Sequence, residues 1–382
     1  MNRCLPTAYN LPHCFRAVVF RAALACGWVA GLIAPLAIAQ PAPTVPAATK
    51  PKPATAPALP VPKPISHDLK TSNALSGADL DVISKFIRDN AARMSGEDTD
   101  AAAGGRLDLI AGSASPKPTL PASAVYLQAY LQTLSRELSG LLAKNPGMRL
   151  KVNIGVVTAR AADNSKTILQ ATPLQSVVLT LMDDPSDAVA LWGMKGAAAI
   201  LSASNPAGLN MVLLKRIVPA VEKHKLSGPI TDEAYTALQE PTPEVIGELM
   251  KLYEKRVAFY KEGVPQEASA ESRASTRLTI QDGMWSKMSA AEKKKVMNLI
   301  ADLLAGVSKA ILDPEQAKNA EQLHLVASKT SQAVYVVANS NPALAALVDP
   351  AKALTKVTNS TPPPAVAKLI EPVVDQIRKG YP

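Results

Sequence analysis

The sequence predicts an all-α protein in which helix pair stacks on helix pair. Three observations carry this expectation. Apolar residues recur at helical spacing through most of the body. Capping residues followed by proline punctuate it, at Asn145-Pro146, Asp184-Pro185, Asn205-Pro206, Thr242-Pro243, Asp313-Pro314, Asn341-Pro342 and Asp349-Pro350. One helical stripe also has a counterpart 41 residues upstream.

The first 39 residues read as a signal peptide. Arg3, Arg16 and Arg21 precede an apolar run from Ala22 to Ile38, and no acid interrupts either part. Ala37-Ile38-Ala39 places small residues where a signal peptidase reads, so the expected cut precedes Gln40. The alternatives are an uncleaved membrane anchor and a lipoprotein at Cys26; the latter lacks the usual leucine, with Ala23 in its place. Cys4, Cys14 and Cys26 all lie in this leader, so cleavage leaves no cysteine for disulfides, thiolate metal sites or nucleophilic catalysis.

Residues 40–66 read as a tether. Prolines at 41, 43, 46, 51, 53, 57, 60, 62 and 64 fix φ and remove donors, which favours an extended, semi-rigid spacer. Lys50, Lys52 and Lys63 also make it a basic arm, able to lean on an anionic envelope surface. Of the 41 basic residues, three are in the leader and three in the arm, and no acid precedes Asp68. The remaining 35 face 32 acids, a net charge of +3 over residues 67–382. The body therefore does not read as a nucleic-acid binder, which needs a concentrated basic face.

Helices are expected at 77–94, 122–143, 173–182, 207–225, 315–338 and 364–379, in segments rich in good helix formers. Val245, Leu249, Leu252, Tyr253 and Tyr260 mark a further long helix after Pro243. Ser289-Ala290-Ala291-Glu292 is a capping box, followed by the stripe Met297, Ile300, Leu303, Leu304 and Val307. Residues 150–156 alternate apolar and polar as a strand would, yet Met148, Val152, Gly155, Val156 and Ala159 also share a helical face.

The repeat decides that segment as helix. Val189, Trp192, Gly193, Gly196, Ala197 and Ile200 form one helical face, with Asp184 expected as cap and Pro185 at the first helical position. Met148, Leu150 and Gly155 match Val189, Leu191 and Gly196 in order; Ile230, Ala237 and Leu238 are a faint third copy. A period near 40 is that of paired-helix repeats.

On the residues Pro173 to Leu181, the Asp184-Pro185 turn and Val189 to Leu201, the chain resembles the HEAT/armadillo-like repeat family over roughly residues 110–240. The family's arginine after the valine of the second helix is matched by Arg149 in the earlier copy, whereas Ala190 stands there in the later one. The resemblance implies an α-solenoid-like region over 67–240. After residue 240 the helices lengthen and the repeat fades, so 241–382 reads as a C-terminal helical region, either continuing the stack or forming a bundle.

The body carries no catalytic signature: no phosphate-binding Gly-Lys loop, no Gly-x-Ser-x-Gly and no Ser-x-x-Lys. Asp98-Thr99-Asp100 begins like a calcium loop but continues with Ala102 and Ala103. Glu321 and His324 share a helical face without the second copy a di-metal bundle needs; His67 and His224 stand apart. Trp192 and Trp285 read as packing residues, Lys293-Lys294-Lys295 as a solvated face, and Asp183, Asp184 and Asp187 as helix-start charges. No catalytic, cofactor or metal residue is therefore assigned.

The expectation is an exported, non-enzymatic scaffold or adaptor that binds a protein partner in the cell envelope. The alternatives are an extracytoplasmic enzyme acting on cell-wall polymer through residues such as Glu137 and Asp163, or a binder of anionic polymer through the basic arm.

Overall fold

The computed structural model describes residues 60–168, 172–202, 209–262, 270–280 and 283–380. The expected signal peptide, the tether as far as residue 59 and the Asn205-Pro206 pair lie outside the described residues. Among those described there are sixteen α-helices and no strand. They are α1 (His67–Thr71), α2 (Gly77–Ser95), α3 (Thr99–Ser113), α4 (Ala124–Leu142), α5 (Met148–Ser165), α6 (Gln175–Met182), α7 (Asp187–Leu201) and α8 (Met211–Lys223). Then follow α9 (Gly228–Ala237), α10 (Pro243–Glu262), α11 (Ala270–Thr279), α12 (Met284–Lys287), α13 (Ala290–Ile311), α14 (Ala320–Asn339), α15 (Ala345–Leu354) and α16 (Pro363–Gly380).

The helices alternate between two layers. In one, α2, α4, α6, α8, α10, α13 and α16 each pack on the next; in the other, α3, α5, α7, α9, α11 and α14 do the same. Each helix also packs on its sequence partner, as in α2 with α3, α6 with α7 and α13 with α14. The fold is thus an all-α, solenoid-like stack of helix pairs, each touching chiefly its neighbours. In the second layer α5, α7, α9 and α11 begin at residues 148, 187, 228 and 270, a step of roughly 40 residues. The segment with strand-like alternation is the helix α5, and the faint third copy is α9, in the same layer. Across residue 240, α8 packs on α10 and α9 on α11.

The stripes read from the sequence become the core. Met297, Ile300, Leu303, Leu304 and Val307 are buried on α13, as are Val245, Leu249, Leu252, Tyr253 and Tyr260 on α10. The Ser289–Glu292 capping box forms with both of its bonds. Ion pairs then stitch successive helices of the first layer: Asp183 to Arg216 at 2.6 Å, Glu222 to Lys255 at 2.5 Å and Glu254 to Lys295 at 2.7 Å.

Several cap-proline pairs depart from expectation. Helix α7 starts at Asp187 after Ser186, not at Pro185. The Asp184 carboxylate instead accepts the Ser186 N–H at 2.9 Å and pairs with Lys151 at 2.9 Å, closing the turn and tying it to α5. Gly147, not Asn145, caps α5, and Asn145 takes a left-handed φ of 46°. Pro350 lies inside α15; its lost N–H costs one bond without ending the helix. Thr242 does cap α10, accepting the Val245 N–H at 3.3 Å, while Asp313 and Asn341 open 3₁₀ turns. Asp98 caps α3, its side chain accepting from the N–H groups of Asp100 and Ala101.

Candidate functional site

The second layer presents a pocket where α5, α7 and α9 lie side by side. Ala159, Arg160, Asp163 and Lys166 approach it from α5 and its C-terminus. Trp192, Lys195, Ala199 and Ser202 come from α7, and Glu233, Thr236 and Gln239 from α9 and the residues after it. Each set recurs at three- and four-residue steps, the spacing that puts side chains on one helical face. The pocket encloses about 280 Å³.

Its geometry follows from a seam of small residues. A Cβ added at Gly155 would stand 2.6 Å from the Trp192 Cβ, and one at Gly196 2.9 Å from a Val178 methyl, with Ala159 Cα close by. Gly155 and Gly196 both serve the α5–α7 seam, but their contacts are not equivalent. Gly155 looks forward onto α7, whereas Gly196 looks onto its own partner α6 and back onto α5. The close approach seats Trp192 by its Cβ and leaves the residue half-buried at the pocket, not in the core as its stripe suggests.

Charge is distributed unevenly around this ring. Lys195 Nζ lies 4.8 Å from the Trp192 ring centroid, a cation–π contact, and 3.5 Å from Glu233 on α9. Lys166 pairs with Asp163 at 2.7 Å. Arg160 is exposed and has no hydrogen-bond or ion-pair partner among the described residues. The pocket thus offers an aromatic face, a floor of alanines, an amide at Gln239 and an uncommitted guanidinium, while the Thr236 hydroxyl is already engaged by the Asp232 carbonyl and Arg273. That arrangement suits recognition. The Ser202 hydroxyl donates to the Ala199 carbonyl at 3.2 Å.

The wall formed by α9 is held from behind by a buried ionic cluster with no signature in the sequence. Arg256 on α10 and Glu271 on α11 are both fully buried and bonded through Arg256 Nε and Glu271 Oε1. Tyr260 donates to Glu271 Oε2 at 2.9 Å. Arg256 Nη1 donates at 2.6 Å to the Leu226 carbonyl, in the α8–α9 turn where Lys225 and Leu226 take φ of 53° and 55°. That bond fixes a left-handed turn that L-residues resist, and so fixes where α9 begins. Burial, then the Glu271 charge, pushes the Tyr235 and Tyr260 hydroxyls well above the ordinary value of 10.0, so both stay protonated.

The other residues singled out by sequence do not converge. Glu137 lies on α4, in the first layer, and does not line the pocket that holds Asp163; Glu233 is the carboxylate that joins it there. Glu321 is exposed while His324 is buried, so the pair does not gather around one point. Among the described residues no group of three or more His, Cys, Asp or Glu is placed to hold a metal ion. Asp183 pairs with Arg216, and the Asp187 carboxylate accepts from His224 Nδ1 at 2.7 Å. Trp285 is half-buried with Lys293 Nζ 5.7 Å from its ring centroid. No described helix is long and apolar enough to cross a membrane. No family model matches the chain, and no curated protein matches it.

Proposed function

We propose that this chain is an exported helical scaffold that binds a protein partner in the cell envelope, acting by recognition and not by catalysis. The observation that carries the reading is the pocket across α5, α7 and α9, where each of three successive helices contributes one face to a mixed aromatic and polar surface. Stacked pairs hold such a surface rigidly, so a partner meets groups already in position. The step of roughly 40 residues between second-layer helices supports kinship with HEAT/armadillo-like repeats. The basic leader with its small-residue cut before Gln40 supports export with the leader removed, and the proline-rich arm supports a spacer between that point and the folded body.

The test is site-directed photocross-linking in cells that export the full chain. A photoreactive residue at Gln239, on the pocket, should yield one discrete cross-linked protein band. The same group at Glu137, in the other layer, should not. Identical patterns from both positions, or none from either, would remove the reading.

A further inference from the structure

We infer that the α5–α7–α9 pocket takes an acidic side chain presented on an extended segment of the partner, and that Arg160 receives its carboxylate. The inference rests on the scaffold reading and names the chemistry of its partner. It comes from comparing the seams of the second layer. Between α3 and α5, Arg106 donates to the Asn153 side-chain oxygen at 3.0 Å. Between α7 and α9, Lys195 meets Glu233 at 3.5 Å, and between α9 and α11, Asp232 meets Arg273 at 2.9 Å. At the α5–α7 seam the ion pair lies at one end, from Lys151 of α5 to Asp184 in the turn before α7 at 2.9 Å, and none is found between the two helices themselves among the described residues. Arg160 lines the pocket beside this seam, and its guanidinium has no hydrogen-bond or ion-pair partner among the described residues.

The charge count points the same way. Three cations, Arg160, Lys166 and Lys195, line the pocket with two carboxylates, Asp163 and Glu233. Each carboxylate already has a lysine, so the surplus is one positive charge and it falls on the arginine. A guanidinium presents a planar fork that matches a carboxylate through two parallel hydrogen bonds. Around it, Ala198 and Ala199 leave room for a backbone to approach, the Gln239 amide can bond a peptide group, and Trp192 offers an apolar face to a neighbouring side chain. A basic segment would meet the unpaired positive charge of Arg160; a wholly apolar one would bury that guanidinium unpaired.

The experiment uses the full chain with Trp28 and Trp285 replaced by Phe, so that Trp192 fluorescence alone reports the pocket. The probes are short peptides with both ends capped, each pairing one Glu with an adjacent Leu, their Glu→Gln and Glu→Lys counterparts, and the same set with the C-terminus uncapped. The Glu peptides should shift Trp192 emission saturably, the Gln counterparts should bind roughly tenfold more weakly (about 1.4 kcal/mol), and Arg160→Ala should equalise the two. Arg160→Lys should restore part of the preference, since it keeps the charge and loses the fork. Equal binding of Glu and Gln peptides, preference for Lys peptides, or a preference unchanged in Arg160→Ala would overturn the inference. So would binding only when the peptide's own C-terminal carboxylate is uncapped. Cross-linking from Gln239 separates the two levels. A partner still captured by Arg160→Ala as well as by the parent chain leaves the scaffold standing and removes the acidic segment.

Discussion

Replacing Gly193 by alanine should destabilise the protein, while the same replacement at Gly247 should stabilise it. Both glycines sit inside helices, α7 and α10, where alanine gains up to about 1 kcal/mol from helix propensity. Their surroundings differ. A Cβ at Gly193 would stand 2.6 Å from Met182 N and 2.8 Å from the Leu181 carbonyl carbon, whereas at Gly247 nothing lies within 4 Å. The clash is with the backbone of α6, so no rotamer change relieves it. Helix α6 must move by several tenths of an ångström, which weakens dispersion along the whole α6–α7 contact. Overpacking of this kind costs about 1–3 kcal/mol. Set against the propensity gain, Gly193→Ala should lose up to about 2.5 kcal/mol, and Gly247→Ala should gain about 0.5–1 kcal/mol. Urea unfolding followed by far-ultraviolet circular dichroism measures both. A Gly193→Ala midpoint as high as that of Gly247→Ala would refute the argument that close approach of α6 and α7 dictates the glycine.

Other consequences follow from buried charge and exposed charge. Glu271→Gln leaves Arg256 buried against a neutral partner and should cost about 3–5 kcal/mol; Arg256→Met with Glu271→Leu should recover most of that, as paired apolar replacements do. By contrast Asp183→Asn should cost about 0–1 kcal/mol and nothing measurable at high salt, because Asp183 and Arg216 are about two-fifths exposed at 37% and 45%. Burial lowers the His324 imidazole below its ordinary value of 6.5, and neither ring nitrogen has a partner among the described residues. Between those two values the unfolded chain binds a proton that the folded chain refuses. Stability from this group is therefore full above about pH 6.5 and is lost as pH falls through that window. In His324→Phe the loss between about pH 7.5 and about pH 5.5 should be smaller than in the parent chain; identical slopes would dismiss His324 as its source.

Helices whose buried face is apolar were legible in the sequence, and those whose buried face is not were hidden. Helix α13 announces itself through its capping box and the Met297 to Val307 stripe. Helix α11 buries Glu271, Ser275, Arg277 and Thr279 alongside only Ala270, Ala274 and Leu278, so most of its inward face reads as solvated surface. Helix α3 carries Gly104, Gly105 and Gly112, none of which signals a core position. Yet a Cβ at Gly105 would stand 2.6 Å from the Asn90 carbonyl oxygen, and one at Gly112 2.3 Å from the Tyr130 hydroxyl. Its inward face is defined by absent side chains, which hydrophobic periodicity does not count. The pocket escaped for another reason. Its residues span 159 to 239 on three helices, and only the stacking step aligns them.

Trp192 shows how packing and site came to be one feature. Its place on the stripe with Val189, Gly193, Gly196 and Ala197 reads as core, and four of those five are buried as the stripe demands. The exception is the tryptophan, which lines the pocket, and Gly155 has no side chain to hold its Cβ off α5. The Trp192 Cβ therefore rests on α5 itself, and the residue is left half-buried at the pocket, its ring beneath Lys195. A larger residue at position 155 would have to push α5 and α7 apart, and with them Arg160 and Lys195. The glycine that permits the close seam thus also sets the spacing of the charged rim, so Gly155→Ala should disturb recognition as well as stability. Loss of stability with peptide selectivity intact would break that link.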